Sequence, residues 1–203
     1  MSVYFVADPS LCAGRDVVDV VRAAVRGGTT MVQLRDKSGR YDSAKILRDF
    51  LKPLSVPFLI NDRVDIALAV DADGVHLGQG DMAAASARTM LGGDKIIGVT
   101  AFEKSHFKAI DPAVVDYAGT GPFYPTQTDK GKPVLGAEKF QELLRLSPVP
   151  VVGIGGITPE NAAAVLQCGA AGVAMMRSIS AAENPEDAAQ AFVEIVQDVR
   201  RAA

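Results

Sequence analysis

The stretch "PFLINDRVDIALAVDADGVHLGQGD", residues 57–81, decides the architecture. It opens on a short apolar run, Pro57–Asn61, bounded like a β-strand. "RVDIALAV" follows, with apolar residues at helical spacing. A second β-rich run, Gly74–Gly78, closes the unit. Strand, helix and strand in so short a span make a crossover, and such crossovers join parallel strands.

The alternation continues in both directions. Further strands are expected at Val3–Ala7, Thr30–Arg35, Lys95–Thr100, Asp116–Gly121, Val149–Gly155 and Gly172–Met176. Helical periodicity fills the gaps at 16–26, 41–51, 82–91, 103–110, 136–146, 159–168 and 184–202. Gly27-Gly28, Gly92-Gly93 and Gly169 stand where helices return to strands, the usual place for a left-handed cap. Eight strands alternating with eight helices call for a parallel sheet, either an open doubly wound one or a (β/α)8 barrel. The count of eight without a long interruption selects the barrel, an α/β TIM-barrel domain over residues 1–203. Neither a linker-like Pro/Ser/Gly tract nor a low-complexity segment divides it.

The chain has 203 residues, 48% hydrophobic and 22% charged, with a formal net charge of −3. That is enough to bury one core, and the mild negative balance argues against a nucleic-acid partner. Cys12 and Cys168 belong to no C-x-x-C pair, which fits a reducing compartment. The opening "MSVYFVADPS" meets Asp8 and Pro9 before a secretory apolar segment can develop. No apolar run approaches the roughly 18 residues of a membrane span. A cytoplasmic protein with no membrane partner is expected.

Barrels carry their chemistry at the carboxyl ends of their strands. In "VQLRDK", residues 32–37, an extended chain aims Gln33, Arg35 and Lys37 at one side. Parallel strands covered on both faces normally read as continuous apolar runs, so these residues mark the mouth rather than a wet edge. Asn61 and Asp62 end the third strand, and Gln79 and Asp81 follow the fourth. Each acid alone suits a helix cap. Two after adjacent strands, whose ends lie about 5 Å apart, can share a hard cation. Mg²⁺ fits, since it binds one or two carboxylates together with substrate phosphates. His76 is expected as a buried, hydrogen-bonded histidine and His106 as a surface residue.

In "GTGPFYPTQTDKGKP", residues 119–133, Thr126 and Thr128 precede Lys130 and Lys132 among glycines and prolines. Such a segment is either a solvated turn or a lid whose hydroxyls and amines meet anionic groups. In "VVGIGGITPEN", residues 151–161, Gly155-Gly156 permits close approach of a ligand to the backbone. Thr158 reads as a helix N-cap with Pro159 in the first turn. Phosphate favours helix N-termini and the loops after the last two barrel strands. "GVAMMRSIS", residues 172–180, adds Arg177 and Ser178 at the same level. The mouth thus carries two anion sites, one lined by Arg35, Lys37, Asp62 and Asp81, the other by Gly155, Gly156 and Arg177. A magnesium diphosphate and a monophosphate match them. No Ser/His/Asp or Cys/His nucleophile set stands out.

Taken together, "VQLRDK", "INDRVDIALAVDADGVHLGQGD", "IIGVTA", "GTGPFYPTQTDKGKP" and "VVGIGGITPENAAAVLQCGAAGVAMM" resemble the thiamine phosphate synthase family over nearly the whole chain. The resemblance implies a (β/α)8 transferase. It would join hydroxymethylpyrimidine diphosphate to a thiazole phosphate, giving thiamine phosphate and pyrophosphate with Mg²⁺. Gln33, Arg35, Lys37 and Asn61 would hold the pyrimidine diphosphate, and Asp62 and Asp81 the metal. Thr100 supplies a hydroxyl where the family commonly has serine. Thr126, Thr128, Gly156 and the backbone near Met176 and Arg177 would receive the thiazole phosphate, and Lys130 would stand in for the substrate-binding lysine that the family usually has directly after T-x-T. Arg35, Lys37 and Lys130 are the expected catalytic cations. Two departures stand out: Asp129 intervenes before Lys130, and Arg177 replaces a small hydroxyl residue. A thiazole tautomerase and a catalytically silent thiamine phosphate binder are the alternatives. The partners implied are small phosphorylated substrates, and the sequence leaves the oligomeric state open.

Overall fold

Along every strand the side chains alternate between two environments, and this alternation builds the molecule. The computed structural model describes residues 2–39, 41–128, 131 and 133–202. The strands are β1 (Val3–Ala7), β2 (Met31–Leu34), β3 (Phe58–Asn61), β4 (Gly74–Leu77), β5 (Ile96–Thr100), β6 (Tyr117–Thr120), β7 (Val151–Ile154) and β8 (Gly172–Met175). They pair in parallel in chain order. Val3 pairs with Val173, which closes the barrel.

Val3, Phe5 and Ala7 of β1 pack outward under the helices with Val32, Leu34, Phe58 and Ile60. Tyr4 and Val6 turn into the lumen with Met31, Leu59, Tyr117, Val152 and Ala174. A period of two on a closed sheet therefore yields two cores, an inner plug and an outer shell.

The helices are α1 (Val17–Arg26), α2 (Tyr41–Leu51), α3 (Val64–Val70), α4 (Ala84–Leu91), α5 (Lys104–Lys108), α6 (Gly136–Leu144), α7 (Pro159–Gln167), α8 (Arg177–Ser180) and α9 (Pro185–Ala202). The last is amphipathic, and its buried Ala189, Phe192 and Val196 follow the helical repeat. Burying a side chain such as Phe192 stabilises the shell by about 2 kcal/mol. No helix among the described residues is long and apolar enough to cross a membrane.

Several expectations need correction. β2 stops at Leu34, so Arg35 and Lys37 lie in the loop beyond it. β7 begins at Val151 rather than Val149, because Pro148 and Pro150 lack the N–H that a ladder requires. The four-residue α8 was not expected; it is too short to show a periodicity. Gly28, Gly92 and Gly169 take positive φ, Gly92 with an extended ψ of 176, whereas Gly27 caps α1 at φ −72. His106 is half-buried rather than fully at the surface: its ring packs edge-on against Phe102 with centroids 4.5 Å apart, while Nε2 reaches the exposed Glu103 at 3.1 Å.

Candidate active site

At the carboxyl end of the strands the inner plug gives way to a cavity of about 740 Å³. Its floor is made by the last inward-facing residue of each strand, and it is divided. Gln33, Asn61, His76 and Thr100 line the side formed by β2 to β5, and Val152, Ile154, Ala174 and Met176 line the side formed by β7 and β8. One half is polar and the other apolar.

Arg35 and Lys37 stand at the rim of the polar half. Although both lie beyond β2, they face the cavity with Gln33, as the alternation of "VQLRDK" led us to expect. Arg35 Nη1 forms an ion pair with Asp8 Oδ2. Asp8 is buried directly after β1 and is 5% exposed. Its other oxygen accepts from the Ser10 N–H at 2.9 Å and the Ser10 hydroxyl at 2.6 Å. The carboxylate is fixed on one side and fixes the guanidinium on the other. Asp8 is absent from the sequence expectations. Its signal was an acid directly after an apolar strand, the same position that singled out Asp62.

Among the described residues, Asp62 is one of four non-glycine residues at positive φ, at 62°. That conformation costs an L-residue about 1 kcal/mol and is tolerated where the surroundings enforce it. Here the Asp62 N–H donates to the His76 carbonyl at 2.9 Å. Burial, and then the facing Asp81 carboxyl, push Asp62 up to about 6, while Lys37 and Arg35 oppose the shift. Asp81 is exposed at the rim, and its Oδ2 accepts from the Gly78 N–H at 2.7 Å. Neither acid is a helix cap. Arg63 precedes α3 and Ala83 precedes α4, and neither makes a side-chain capping bond. Two crowded carboxylates at the cavity rim are of the kind that suits a hard divalent cation. Among the described residues no cluster of three or more His, Cys, Asp or Glu side chains is present. A cation here would complete its coordination with water and substrate oxygens.

The other half of the rim belongs to the loops after β6, β7 and β8. Gly155 and Gly156 lie at φ 97 and 65. A Cβ on Gly155 would fall 2.5 Å from Pro122 Cα, and one on Gly156 would fall 2.5 Å from the Pro125 carbonyl oxygen. Both glycines line the cavity, and their missing side chains also let the β6 loop lie against them. Phe123 N–H donates to the Ile154 carbonyl at 2.9 Å and Tyr124 N–H to that of Gly155 at 3.0 Å. This seam brings Thr126 and Thr128 to the cavity wall. Thr158 is the N-cap of α7 and donates its N–H to Asn161 Oδ1 at 2.9 Å.

Arg177 opens α8 at the cavity edge. It is exposed, and its guanidinium forms no hydrogen bond or ion pair with another described residue. Ser178 Oγ donates to the Ile157 carbonyl, tying α8 to the β7 loop. Of the expected site residues, Lys130 lies outside the described residues, as do Asp129 and Lys132. Asp81 stands at the rim, and the remainder line one cavity.

A family model described as thiamine monophosphate synthase matches residues 3–179. A thiamine-phosphate synthase of Xanthobacter autotrophicus is 45% identical over 198 residues, which cover 95% of this chain and 93% of that relative. One from Natronomonas pharaonis is 40% identical over 204 residues, covering 97% and 95%. Among solved structures, a thiamine phosphate pyrophosphorylase from Pyrococcus furiosus superposes with a TM-score of 0.88 at 34% identity. The match covers 98% of this chain and 96% of that one.

Proposed function

The chain belongs to the thiamine monophosphate synthase family, and from that premise we propose how its cavity performs the condensation. The protein is a transferase acting on small phosphorylated substrates. It joins hydroxymethylpyrimidine diphosphate to a thiazole phosphate, releasing pyrophosphate and leaving thiamine phosphate.

The observation that supports an assignment of residues is the divided cavity. The pyrimidine diphosphate takes the polar half, with Gln33, Asn61 and Thr100 against the ring and Arg35 and Lys37 on the diphosphate. As the methylene–oxygen bond breaks, its electron pair leaves on pyrophosphate, and the two cations stabilise the growing negative charge. The Asp8 ion pair holds Arg35 where that charge appears, so little reorganisation is needed during the reaction. Asp62 and Asp81 would hold Mg²⁺, which when bound adds positive charge beside the leaving group.

The thiazole phosphate takes the other half. Thr126, Thr128, Gly156 and the backbone near Met176 and Arg177 receive its phosphate, and we assign Lys130 to the same anion. Val152, Ile154 and Ala174 keep water from the electron-poor methylene until the thiazole nitrogen attacks it. The free guanidinium of Arg177 supplies a second cation to this phosphate.

Pyrophosphate release, measured with each substrate alone and with both, in the presence and absence of Mg²⁺, tests this reading. Release that needs both substrates and the metal is expected. Binding of a thiazole phosphate without any release would instead indicate an isomerase or a silent binder.

A further inference from the structure

Across the floor of the cavity, five side chains from five strands form one unbroken line of hydrogen bonds, with Tyr117 beneath it. Gln33 Nε2 on β2 donates to Tyr4 Oη on β1 at 2.5 Å. Tyr4 Oη meets Tyr117 Oη on β6 at 2.7 Å. Tyr117 Oη meets His76 Nδ1 on β4 at 2.8 Å, and His76 Nε2 meets Thr100 Oγ1 on β5 at 2.9 Å. The rest of the lumen is plugged by apolar side chains such as Leu59 and Val152. Polar groups buried among them are tolerated only when each finds a partner.

The sequence makes room for this line. A Cβ at position 98 would fall 2.1 Å from Tyr117 Cζ and 2.4 Å from its Oη, so only glycine fits there. The Tyr117 ring lies edge-on to Tyr4 at 5.9 Å and tilted against His76 at 5.5 Å. Burial pushes Tyr4 up to about 12 and Tyr117 far above the usual phenol range. Each phenol therefore keeps its single hydrogen.

Counting hydrogens orders the line. The Gln33 amide nitrogen can only donate, so Tyr4 accepts there and gives its hydrogen to Tyr117. Tyr117 then gives its own to His76 Nδ1. With a neutral ring, this order puts the His76 hydrogen on Nε2, where it donates to Thr100. The Thr100 hydroxyl is left to donate into the cavity. At the far end, Gln33 Oε1 makes no hydrogen bond to another described residue and is left to accept. Both residues line the cavity.

We propose that Tyr117, which itself touches no substrate, is a positioning residue that fixes the direction of this line. It thereby presents an acceptor at Gln33 and a donor at Thr100 to a nitrogen heterocycle bearing an amino group. Such a ring has amino hydrogens for the first and ring nitrogens for the second. A ring carrying an oxo group in place of the amino group would set acceptor against acceptor at Gln33. This deepens the function proposed above and rests on the polar half of the cavity taking the pyrimidine diphosphate.

Tyr117→Phe keeps the ring and removes only the linking oxygen. The chain has two histidines, so ring ¹⁵N spectra of the substrate-free protein resolve His76 readily. Wild type should show the Nε2–H tautomer, and Tyr117→Phe a mixture. In steady-state assays the variant should raise KM for the pyrimidine diphosphate about tenfold, the loss of one buried hydrogen bond. KM for the thiazole phosphate should stay within about twofold. Tyr4→Phe cuts the line on the Gln33 side only. It should raise the same KM and leave the His76 tautomer unchanged, and it decides the matter if Tyr117→Phe does not fold. An Nδ1–H tautomer in wild type overturns the direction. An equal rise in both KM values, or a loss of thermal stability alone, overturns the positioning role. Absence of pyrophosphate release by wild type would refute the functional reading instead, while the substrate-free spectra would still judge the line.

Discussion

Asp8 and Arg35 form an ion pair that ties the carboxyl ends of β1 and β2 together at the rim of the cavity. Asp8 is buried and doubly bonded to Ser10, so the guanidinium is held from behind at the cavity that Arg35 lines. Removing the cation and removing its anchor should therefore differ in degree. Arg35→Ala should lower kcat by about 100-fold or more, as when a transition-state donor is lost. Asp8→Asn should lower it about tenfold by loosening the geometry. The double variant should be no slower than Arg35→Ala. Additive losses in this cycle would mean that Asp8 acts elsewhere than through Arg35.

The crowding of Asp62 against Asp81 predicts a pH-dependent response to the metal. Asp62 is raised from 3.8 to about 6. A carboxyl raised in the folded state makes the fold less stable as pH rises from 3.8 through about 6, because ionisation is opposed there. A cation offsets that repulsion only once the carboxylate is charged. Millimolar Mg²⁺ should therefore raise the melting temperature at pH 7.5 and have little effect near pH 5. Asp81→Asn should remove both the shift and the Mg²⁺-dependent turnover while the protein remains folded. A magnesium shift that survives in Asp81→Asn would sink the assignment.

Most of this arrangement was legible in the sequence, for physical reasons. Parallel strands covered on both sides must be apolar, so Gln33, Asn61 and Asp62 stood out against them, whereas Thr100 came only from the family resemblance. The mid-strand position of His76 also suggested a buried, hydrogen-bonded histidine. It did not give the partners of His76: Tyr117 reaches it from β6 across the lumen, and strand order in the chain carries no register across the barrel. Asp8 was overlooked because it was weighed only as the end of an apolar run near the N-terminus. Gly155-Gly156 was singled out for close approach, but a glycine pair does not say everything that approaches it. Here Pro122, Tyr124 and Pro125 approach.

Arg177 tests the departure at the end of β8. Its guanidinium is exposed at the cavity edge beside the loops proposed to hold the thiazole phosphate. Arg177→Ser restores the small hydroxyl that the family commonly has. It should raise KM for the thiazole phosphate about tenfold, the value of one charge-assisted contact. KM for the pyrimidine diphosphate should not change. An unchanged KM for both substrates would place the guanidinium in solvent. Lys130→Ala and Lys132→Ala, assayed in the same way, would show which amine shares the anion.

The seam between the β6 and β7 loops makes a prediction about stability. At Gly155 the backbone is left-handed, at φ 97, and a Cβ would lie 2.5 Å from Pro122 Cα and 3.3 Å from the Phe123 nitrogen. Neither neighbour is the end of a flexible side chain, so the backbone itself has to move. Adding a methyl group under these conditions combines the penalty of a left-handed L-residue with overpacking, together about 2–4 kcal/mol. Gly93 is the control: no atom lies within 4 Å of its Cβ position, and its φ is not in the left-handed range. Gly93→Ala should leave stability unchanged or raise it by about 0.5 kcal/mol through the unfolded state. Urea unfolding should therefore show a lower midpoint at constant slope for Gly155→Ala alone. Because that seam also sets Thr126 and Thr128 at the wall, the same variant should weaken thiazole phosphate binding even where it remains folded. A Gly155→Ala protein as stable as Gly93→Ala would mean that the two loops part without penalty, and that the seam does not shape the site.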